Sequence, residues 1–259
     1  MSARQASEGQ EALFLHGGPG LSSRIERLWF GQSLPVLWWD QPSAGREPAP
    51  FDALVEAATN ELRKMARLST VHLIAHSFGG QLARALACRH PELIHRITLL
   101  GCAPNPVAGL IRLCRRVSEL SEAGSVAAAV SAAENDLNAE SFAAMTMATA
   151  LDPAYPAVYF GPESVAVRDR FIELTKREPI LDAETFLGVM NQFLQQPSAE
   201  PLPAYAGKVD LLMGRYDPIL APDLDAAAWR RVFPALKMVT VNCGHCVHLE
   251  TAPDVWLLR

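Results

Sequence analysis

The sequence predicts an α/β fold in which a mostly parallel sheet is covered by helices on both faces. Two observations support this prediction. Short runs that are apolar on both strand faces recur along the chain and end in turn residues, and segments with helical periodicity lie between them. Strands without a polar face are typical of a parallel sheet that is buried on both sides. The 259 residues are enough for one substantial core.

Six runs are predicted to be strands. In chain order they are ALFLH (12–16), VLWWD (36–40), VHLIAHS (71–77), RITLLGC (96–102), VDLLMG (209–214) and LKMVTVN (236–242). The first ends in a glycine-rich loop, and after the second a helical period begins behind Asp52, a suitable N-cap. A helix follows the third strand and should end at Pro91, because proline cannot continue a helix.

The alternation of strand and helix stops between residues 104 and 203. This stretch contains no convincing strand and reads as alanine-rich helices, such as Val126–Ala133 and Glu184–Phe193. The predicted organisation is therefore a core made of residues 1–103 and 204–259, with residues 104–203 as a helical insertion.

The composition excludes several classes of protein. Apolar residues make up 49% of the chain and charged residues 20%, which suits a globular protein, and a net charge of −5 argues against a nucleic-acid partner. The start, MSARQASEGQ, lacks the apolar run of a signal peptide, and no membrane-spanning stretch is visible. We therefore expect a cytoplasmic protein with a small-molecule substrate and no membrane partner. The five scattered cysteines indicate reduced thiols, and no feature points to a particular oligomeric state.

The loop after the third strand fits a catalytic turn. AHSFGG, residues 75–80, matches the nucleophile elbow G-x-S-x-G except that Ala75 replaces the first glycine. The sharp turn needs small residues two before and two after the nucleophile, and Ala75 and Gly79 both meet this need. Ser77 would then lie at the N-terminus of a helix, whose dipole favours developing negative charge. Taken alone, the stretch also fits a serine N-cap followed by a glycine turn.

Two later loops supply partners for Ser77. MGRYDP places Asp217 just past the fifth strand, and NCGH places His245 just past the sixth. Because reactive groups gather at the carboxyl ends of parallel strands, these side chains should meet at one edge of the sheet. The chain order Ser, Asp, His is the order expected of a hydrolase of this plan. His248 is the rival base, while Asp210 begins its strand and so lies at the wrong end.

The stretch VTVNCGHCVHLE, residues 239–250, has two other interpretations. Cys243 and Cys246 have the spacing of a redox pair, and together with His245 and His248 they form a candidate zinc site. A redox motif needs a following helix in a thioredoxin-like unit, and structural zinc usually draws its second ligand pair from a distant segment. Gly244 lets the chain turn directly after the strand, which favours a catalytic histidine. We therefore expect no metal site and no cofactor.

These loops together resemble the α/β-hydrolase family. HGGPG, residues 16–20, looks like the oxyanion loop of the proline iminopeptidase and related esterase branches of that family. The resemblance covers almost the whole chain. It implies that Ser77 is the nucleophile, Asp217 the acid and His245 the base.

The resemblance also concerns the oxyanion hole and the helical insertion. It implies that the backbone N–H groups of Gly18 and Phe78 form the oxyanion hole, and that the insertion is a lid over the substrate pocket. The loop DQPSAGR, residues 40–46, departs from the D-Q-R-G-x-G-R of the iminopeptidase branch, which weakens the expectation of peptidase activity. The antiparallel strands that usually open the fold are expected to be missing or reduced to one.

The expected function is hydrolysis of a small carboxylic ester or thioester through an acyl-enzyme on Ser77, because the apolar insertion suits an apolar acyl group. An aminopeptidase would need carboxylates of the insertion to bind a substrate ammonium. The candidates are Glu119, Glu122, Glu134, Glu163 and Glu173. Cofactor-free C–C hydrolysis or a lyase reaction fits the same residues, and so does a non-catalytic binding protein of this fold. We expect Trp38, Tyr216 and His248 in the pocket wall.

Overall fold

A single parallel sheet forms the centre of the protein. The computed structural model describes residues 11–177, 181–195 and 204–257. In this part of the chain six strands, all parallel to their neighbours, have the order β2-β1-β3-β4-β5-β6. They are β1 Ala12–Leu15, β2 Val36–Trp39, β3 Val71–His76, β4 Ile94–Leu100, β5 Lys208–Gly214 and β6 Leu236–Val241. Each predicted strand is confirmed to within two residues at either end.

Helices connect the strands. Within the described residues they are α1 Arg24–Phe30, α2 Pro50–Met65, α3 Gly79–Arg89, α4 Pro106–Leu120, α5 Gly124–Asn135, α6 Ala139–Leu151, α7 Tyr155–Val158, α8 Val165–Arg177, α9 Ala183–Gln195, α10 Pro222–Val232 and α11 Val247–Glu250. None of these helices combines the length and the hydropathy that crossing a bilayer requires. The expectation that Asp52 caps α2 is wrong. The cap position is Ala49, and Pro50, whose fixed φ suits the first helical turn, begins the helix.

The helix α1 was not predicted. It has only seven residues, which is too short for a clear helical period. Its position is fixed by Arg27, which donates hydrogen bonds to the Asp40 carboxylate at 2.8 and 3.0 Å. The helix buries Ile25 and Glu26, so it brings an acidic side chain into the interior.

The two faces of the sheet are covered by separate hydrophobic clusters. Along β3, Leu73 belongs to the larger cluster and Ile74 to the smaller one, and along β5, Leu211 and Leu212 divide in the same way. Successive residues of a strand point to opposite faces, so this division means that both faces are buried. The predicted fold class is therefore confirmed.

The helical insertion lies between β4 and β5. Its described residues contain the helices α4 to α9 and no strand. The segments 178–180 and 196–203 lie outside the described residues. Helix α9 packs on α2, where the rings of Phe51 and Phe193 are 4.9 Å apart and the Gln192 side chain accepts a hydrogen bond of 2.9 Å from the Phe51 N–H.

Candidate active site

The loops that follow the strands meet at the carboxyl edge of the sheet. A Cβ placed on Gly101, directly after β4, would lie 2.9 Å from His245 Nδ1 and 3.0 Å from Asp217 Oδ2. A Cβ on Gly17, after β1, would lie 3.0 Å from the Cβ of Ser77. Glycines therefore allow the close approach of these loops, and the structure brings the predicted residues together at this edge.

Ser77 occupies a strained turn between β3 and α3. Its φ of 53° is the only positive φ of a non-glycine residue in the described ranges. The Ser77 N–H donates a hydrogen bond of 2.9 Å to the Leu100 carbonyl oxygen. A Cβ at Gly79 would lie 2.0 Å from the Leu15 carbonyl oxygen, so only glycine fits there. The geometry is that of a nucleophile elbow, in which strain presents the serine above the sheet.

His245 and Asp217 form a buried pair. His245 Nδ1 donates to Asp217 Oδ2 at 2.8 Å, and the two side chains are 1% and 0% exposed. The other carboxylate oxygen of Asp217 accepts the Ile219 N–H at 2.9 Å. A carboxylate that accepts from Nδ1 leaves the lone pair of a neutral imidazole on Nε2, where a general base needs it.

One cavity contains both Ser77 and His245. Its volume is about 600 Å³, and both residues lie in its wall. No hydrogen bond joins the Ser77 hydroxyl to His245 within the described residues, and His245 Nε2 has no partner there. In ligand-free structures such catalytic bonds are often long and tighten only when substrate binds.

Two backbone donors beside Ser77 are available to a ligand. Gly18, with φ of 58°, lies in the cavity wall together with Phe78. Neither N–H donates to another described residue. They are the groups that the resemblance implies for the oxyanion hole.

His16 positions the glycine-rich loop, as the resemblance of HGGPG would require. Its Nδ1 donates to the Gly17 carbonyl oxygen at 2.9 Å, and its Nε2 accepts the Gln41 N–H at 3.1 Å. The Gln41 side chain also donates to the His16 carbonyl oxygen at 3.1 Å. Burial lowers the pKa of His16, which keeps the ring neutral so that it can make both bonds.

A second histidine–carboxylate pair lies in the same cavity. His248 Nε2 donates to Glu26 Oε1 at 3.1 Å, and both residues line the cavity. The ring of His76 lies between the two pairs, with its centroid 4.8 Å from His245 and 4.5 Å from His248. His76 Nε2 donates to the His245 carbonyl oxygen at 3.2 Å. Burial, reinforced by the neighbouring histidines, lowers the pKa of His76 well below its usual value.

The predicted pocket residues divide into two groups. His248 lines the cavity, whereas Trp38 and Tyr216 do not. Trp38 packs in the smaller cluster, stacked on Phe30 at 5.4 Å, and Tyr216 is 45% exposed outside the cavity. The expectation for Trp38 and Tyr216 is therefore wrong, because the alternation along β2 turns Trp38 into the core and the loop turns Tyr216 to the surface.

Glu250 connects the insertion to the His245 turn, a role that the sequence reading missed. Its carboxylate accepts the N–H groups of Gly161 at 2.7 Å and Gly244 at 2.9 Å. The His245 N–H donates to the Tyr159 carbonyl oxygen at 2.7 Å. The only sequence signal was an acid five residues after the histidine, and such an acid is usually solvated.

Loop 40–46, whose sequence differs from the iminopeptidase pattern, also contacts the insertion. The Ser43 hydroxyl donates to Asp182 Oδ2 at 2.5 Å, and Thr185 Oγ1 accepts the N–H groups of Ala44 and Gly45 at 2.8 and 3.0 Å. A Cβ on Gly45 would lie 2.4 Å from the Glu184 backbone. Ser43, one of the residues that differ from the iminopeptidase pattern, therefore binds the start of α9.

The structure does not support redox or zinc chemistry at Cys243 and Cys246. Both thiols are free and buried. Burial raises the pKa of Cys243 to about 12 and that of Cys246 well above its usual value, whereas reactive thiols have a lowered pKa. His245 and His248 are each bonded to a carboxylate, and the described ranges contain no group of three or more side chains that could hold a metal ion.

The fold and the geometry of this edge are those of an α/β hydrolase. The chain matches the model of the alpha/beta hydrolase fold family over residues 13–252 and belongs to that family. The resemblance inferred from the sequence is therefore confirmed.

The curated proteins that are similar to this chain are named for different activities. The proline iminopeptidase of Levilactobacillus brevis is 36% identical over 86 residues, which are 29% of this chain and 29% of that protein. The probable lysophospholipase BODYGUARD 1 of Arabidopsis thaliana is 37% identical over 84 residues, 29% of this chain and 18% of that protein. Both alignments span less than a third of the relative.

The fold of this protein is similar to that of a solved structure over nearly the whole chain. The proline iminopeptidase-related protein of Thermus thermophilus has a TM-score of 0.62 and 22% identity, covering 96% of this chain and 86% of that one. At this identity the likeness supports the fold alone. Membership of the family establishes the fold, and the activity of this protein is inferred from the residues of the site.

Proposed function

We propose that the protein is a serine hydrolase that cleaves a small carboxylic ester or thioester through an acyl-enzyme on Ser77. The observation that supports the proposal is the buried bond of 2.8 Å from Asp217 to His245, whose ring lies in the wall of the same cavity as the strained Ser77. A site of this kind has a nucleophile, an oriented base and two free backbone donors.

The proposed reaction has two steps. His245 Nε2 takes the proton of the Ser77 hydroxyl as its oxygen attacks the carbonyl carbon, and the tetrahedral oxyanion accepts hydrogen bonds from the Gly18 and Phe78 N–H groups. The intermediate collapses as His245 returns the proton to the leaving alcohol or thiol. Water, deprotonated by His245, then attacks the acyl carbon, and as the bond to Ser77 breaks His245 returns the proton to the Ser77 oxygen and the acid leaves. No step requires a metal or an organic cofactor.

The lining of the cavity supports the proposal that the acyl group of the substrate is apolar. Apart from the polar edge beside Ser77, most of the wall is apolar, and the insertion contributes Leu110, Leu113, Met147, Phe171, Phe186 and Met190. Apolar pockets with a few convergent polar groups suit such ligands. We propose that the insertion acts as the lid of this cavity and that the reaction occurs in the cytoplasm.

Aminopeptidase activity is the second candidate, since a curated relative is named proline iminopeptidase. The five glutamates of the insertion that would bind a substrate ammonium do not line the cavity, and Glu119 and Glu134 instead pair with Arg116 and Arg115. Among the described residues, Glu26 is the only carboxylate that lines the cavity. The insertion thus gives this candidate less support than the apolar wall gives to ester cleavage.

Parallel assays of ester and anilide cleavage test the proposal. We expect the protein to hydrolyse p-nitrophenyl esters of short and medium chain length faster than prolyl and alanyl p-nitroanilides, and Ser77→Ala to abolish turnover. A serine-directed phosphonate should add its mass to the wild type and not to Ser77→Ala. Dominant anilide cleavage would make the protein an aminopeptidase. Turnover that survives in Ser77→Ala, or no adduct, would overturn the acyl-enzyme and favour C–C chemistry or ligand binding.

A further inference from the structure

The pair formed by Glu26 and His248 is incomplete, in contrast to the pair beside Ser77. Glu26 is 7% and His248 1% exposed. Glu26 Oε2 and His248 Nδ1 are buried and have no hydrogen-bond partner within the described residues. Buried polar groups are nearly always bonded, so two orphan atoms in one contact require an explanation.

The chemistry of these two unbonded atoms defines the kind of group that would bond to them. A carboxylate can only accept, so the bond of 3.1 Å between His248 Nε2 and Glu26 Oε1 uses the Nε2–H of His248. Glu26 Oε2 is then an unused acceptor, and in the neutral ring His248 Nδ1 is a second one. The missing partner is therefore a group that donates hydrogen bonds.

Within the described residues no group donates a hydrogen bond to either orphan atom, although Thr175 and Lys176 of the insertion line the same cavity. Ile25 and Leu249, beside Glu26 and His248 in the chain, also line the cavity, and the ring of Phe14 lies 5.3 Å from that of His248. The ring of His76 lies 4.5 Å from that of His248, and its Nε2–H is already used by the His245 carbonyl oxygen. Because Glu26, His248 and Ser77 all lie in the wall of this cavity, a ligand bound beside Ser77 is in a position to supply the donor.

We propose that Glu26 and His248 form a subsite that binds a hydrogen-bond donor of the substrate, a hydroxyl or an ammonium group, beside the site of acyl transfer. This inference rests on the proposed function for the position of the substrate. The preferred substrate is then an ester or thioester that carries a hydroxyl or amino group on its acyl or its leaving part. An otherwise identical apolar ester leaves the carboxylate oxygen unsatisfied and is a poorer substrate.

Matched esters test the subsite. The acyl series is methyl octanoate with its 3-hydroxy and 3-amino derivatives, and the leaving-group series is ethyl octanoate with its 2-hydroxyethyl and 2-aminoethyl counterparts. In the wild type at least one donor-bearing ester should have a kcat/KM about 10- to 100-fold above its apolar match, the effect of a hydrogen bond to a charged group. Whether the hydroxyl or the amino compound shows the gain identifies the donor.

Substitutions of Glu26 locate the gain. Glu26→Gln should remove most of the preference for the donor-bearing ester, and Glu26→Asp, which keeps the charge on a shorter side chain, should keep part of it. Glu56→Gln, at an exposed position of α2, is the matched control and should keep the whole preference. Thermal unfolding checks that each variant folds. A wild type without any preference, or a preference that survives in both Glu26 variants, would overturn the subsite.

Ligand binding separates the subsite from the proposed function. If no ester is turned over, or if Ser77→Ala remains active, the acyl-transfer proposal fails while the subsite is still measurable. The probes are octylamine, 1-octanol and 1-chlorooctane, and the measured quantity is the rise in Tm. The amine or the alcohol should raise the Tm of the wild type more than 1-chlorooctane does, and Glu26→Gln should lose this difference. Equal shifts for all three probes in the wild type would overturn the subsite.

Discussion

Two buried histidine–carboxylate pairs place their histidines in the wall of one cavity, and they differ in how many of their carboxylate oxygens are bonded. In the first pair both oxygens of Asp217 accept hydrogen bonds, from His245 and from the Ile219 N–H. In the second pair Glu26 has one bonded oxygen, and His248 has one bonded nitrogen. The Asp217 carboxylate is therefore held by protein groups at both oxygens, whereas Glu26 has one oxygen that is free to accept a hydrogen bond.

The attachment of the two histidines differs as well. His245 lies in a turn directly after β6. Two hydrogen bonds hold this turn: the His245 N–H donates to the Tyr159 carbonyl oxygen, and the Gly244 N–H donates to the Glu250 carboxylate. His248 belongs to the short helix α11 and packs on Phe14 and His76. The first pair has the fully bonded carboxylate, and its histidine lies in the cavity wall with Ser77. This is the arrangement that we propose for the general base.

The largest expected effect separates the two histidines. His245→Ala should lower kcat by about 10⁴-fold or more, because it removes the base, whereas His248→Ala should lower it by less than about 100-fold. Initial rates on the best p-nitrophenyl ester measure both. Equal losses in the two variants would mean that the assignment of the base to His245 is mistaken.

The next effect concerns the carboxylate of the first pair. Asp217→Asn should lower kcat by about 10⁴-fold while preserving the shape of the site, because an amide favours the wrong tautomer of His245, as the same substitution does in serine proteases. Asp223→Asn, in the exposed first turn of α10, is the control and should retain normal turnover. Activity of Asp217→Asn close to that of the control would remove Asp217 from the mechanism.

A smaller effect concerns a histidine that has no carboxylate partner. His72 Nε2 bonds to Thr98 Oγ1 at 2.8 Å, and burial, with a further contribution from Arg96, lowers the pKa of His72 to about 3. The unfolded state, with a pKa of about 6.5, binds the proton first as the pH falls, so the native state loses stability below that pH.

Urea unfolding at two pH values measures this loss. Between pH 8 and pH 5, His72 alone should lower the free energy of unfolding by about 2 kcal/mol, and the loss continues down to the folded pKa. His72→Gln should show a pH dependence that is smaller by that amount. An identical pH dependence in the wild type and the variant would contradict a buried neutral His72.

The smallest effect concerns the cysteines beside the first pair. Cys243→Ala and Cys246→Ala, singly or together, should change kcat/KM by less than about 3-fold, since both thiols are buried and protonated. Activity should also be equal in dithiothreitol and in diamide. A loss of activity on oxidation that the double variant abolishes would restore the redox interpretation.

The sequence was sufficient for the residues that local rules determine. Strand limits follow from apolar runs and turn residues, and the positions of Ser77, Asp217 and His245 follow from the rule that strand ends meet at one edge. The structure places all three there. Their roles in catalysis stay predictions until the variants above are measured.

The contacts that the sequence could not supply join segments far apart in the chain. Glu26 lies in a helix too short to show a period, and its partner His248 is near the opposite end of the chain. Ser43 likewise bonds to Asp182, which lies far from it in the chain, so the sequence alone did not indicate this contact. Trp38 was misplaced because a strand residue can face either side, and only the packing on Phe30 decides between them.

The insertion between β4 and β5 also has a consequence for the order of folding. Leu99 and Leu211 are partners in the sheet, although about a hundred residues separate their strands. Each doubling of a closing loop costs about 0.6 kcal/mol of chain entropy, and pairings distant in sequence form slowly. We therefore expect the unit that contains Ser77 to assemble first and the β5–β6 unit, with Asp217 and His245, to join it late. Under the proposed function, a chain released before that step carries the nucleophile without its base, and we expect such a partly folded molecule to have no hydrolase activity.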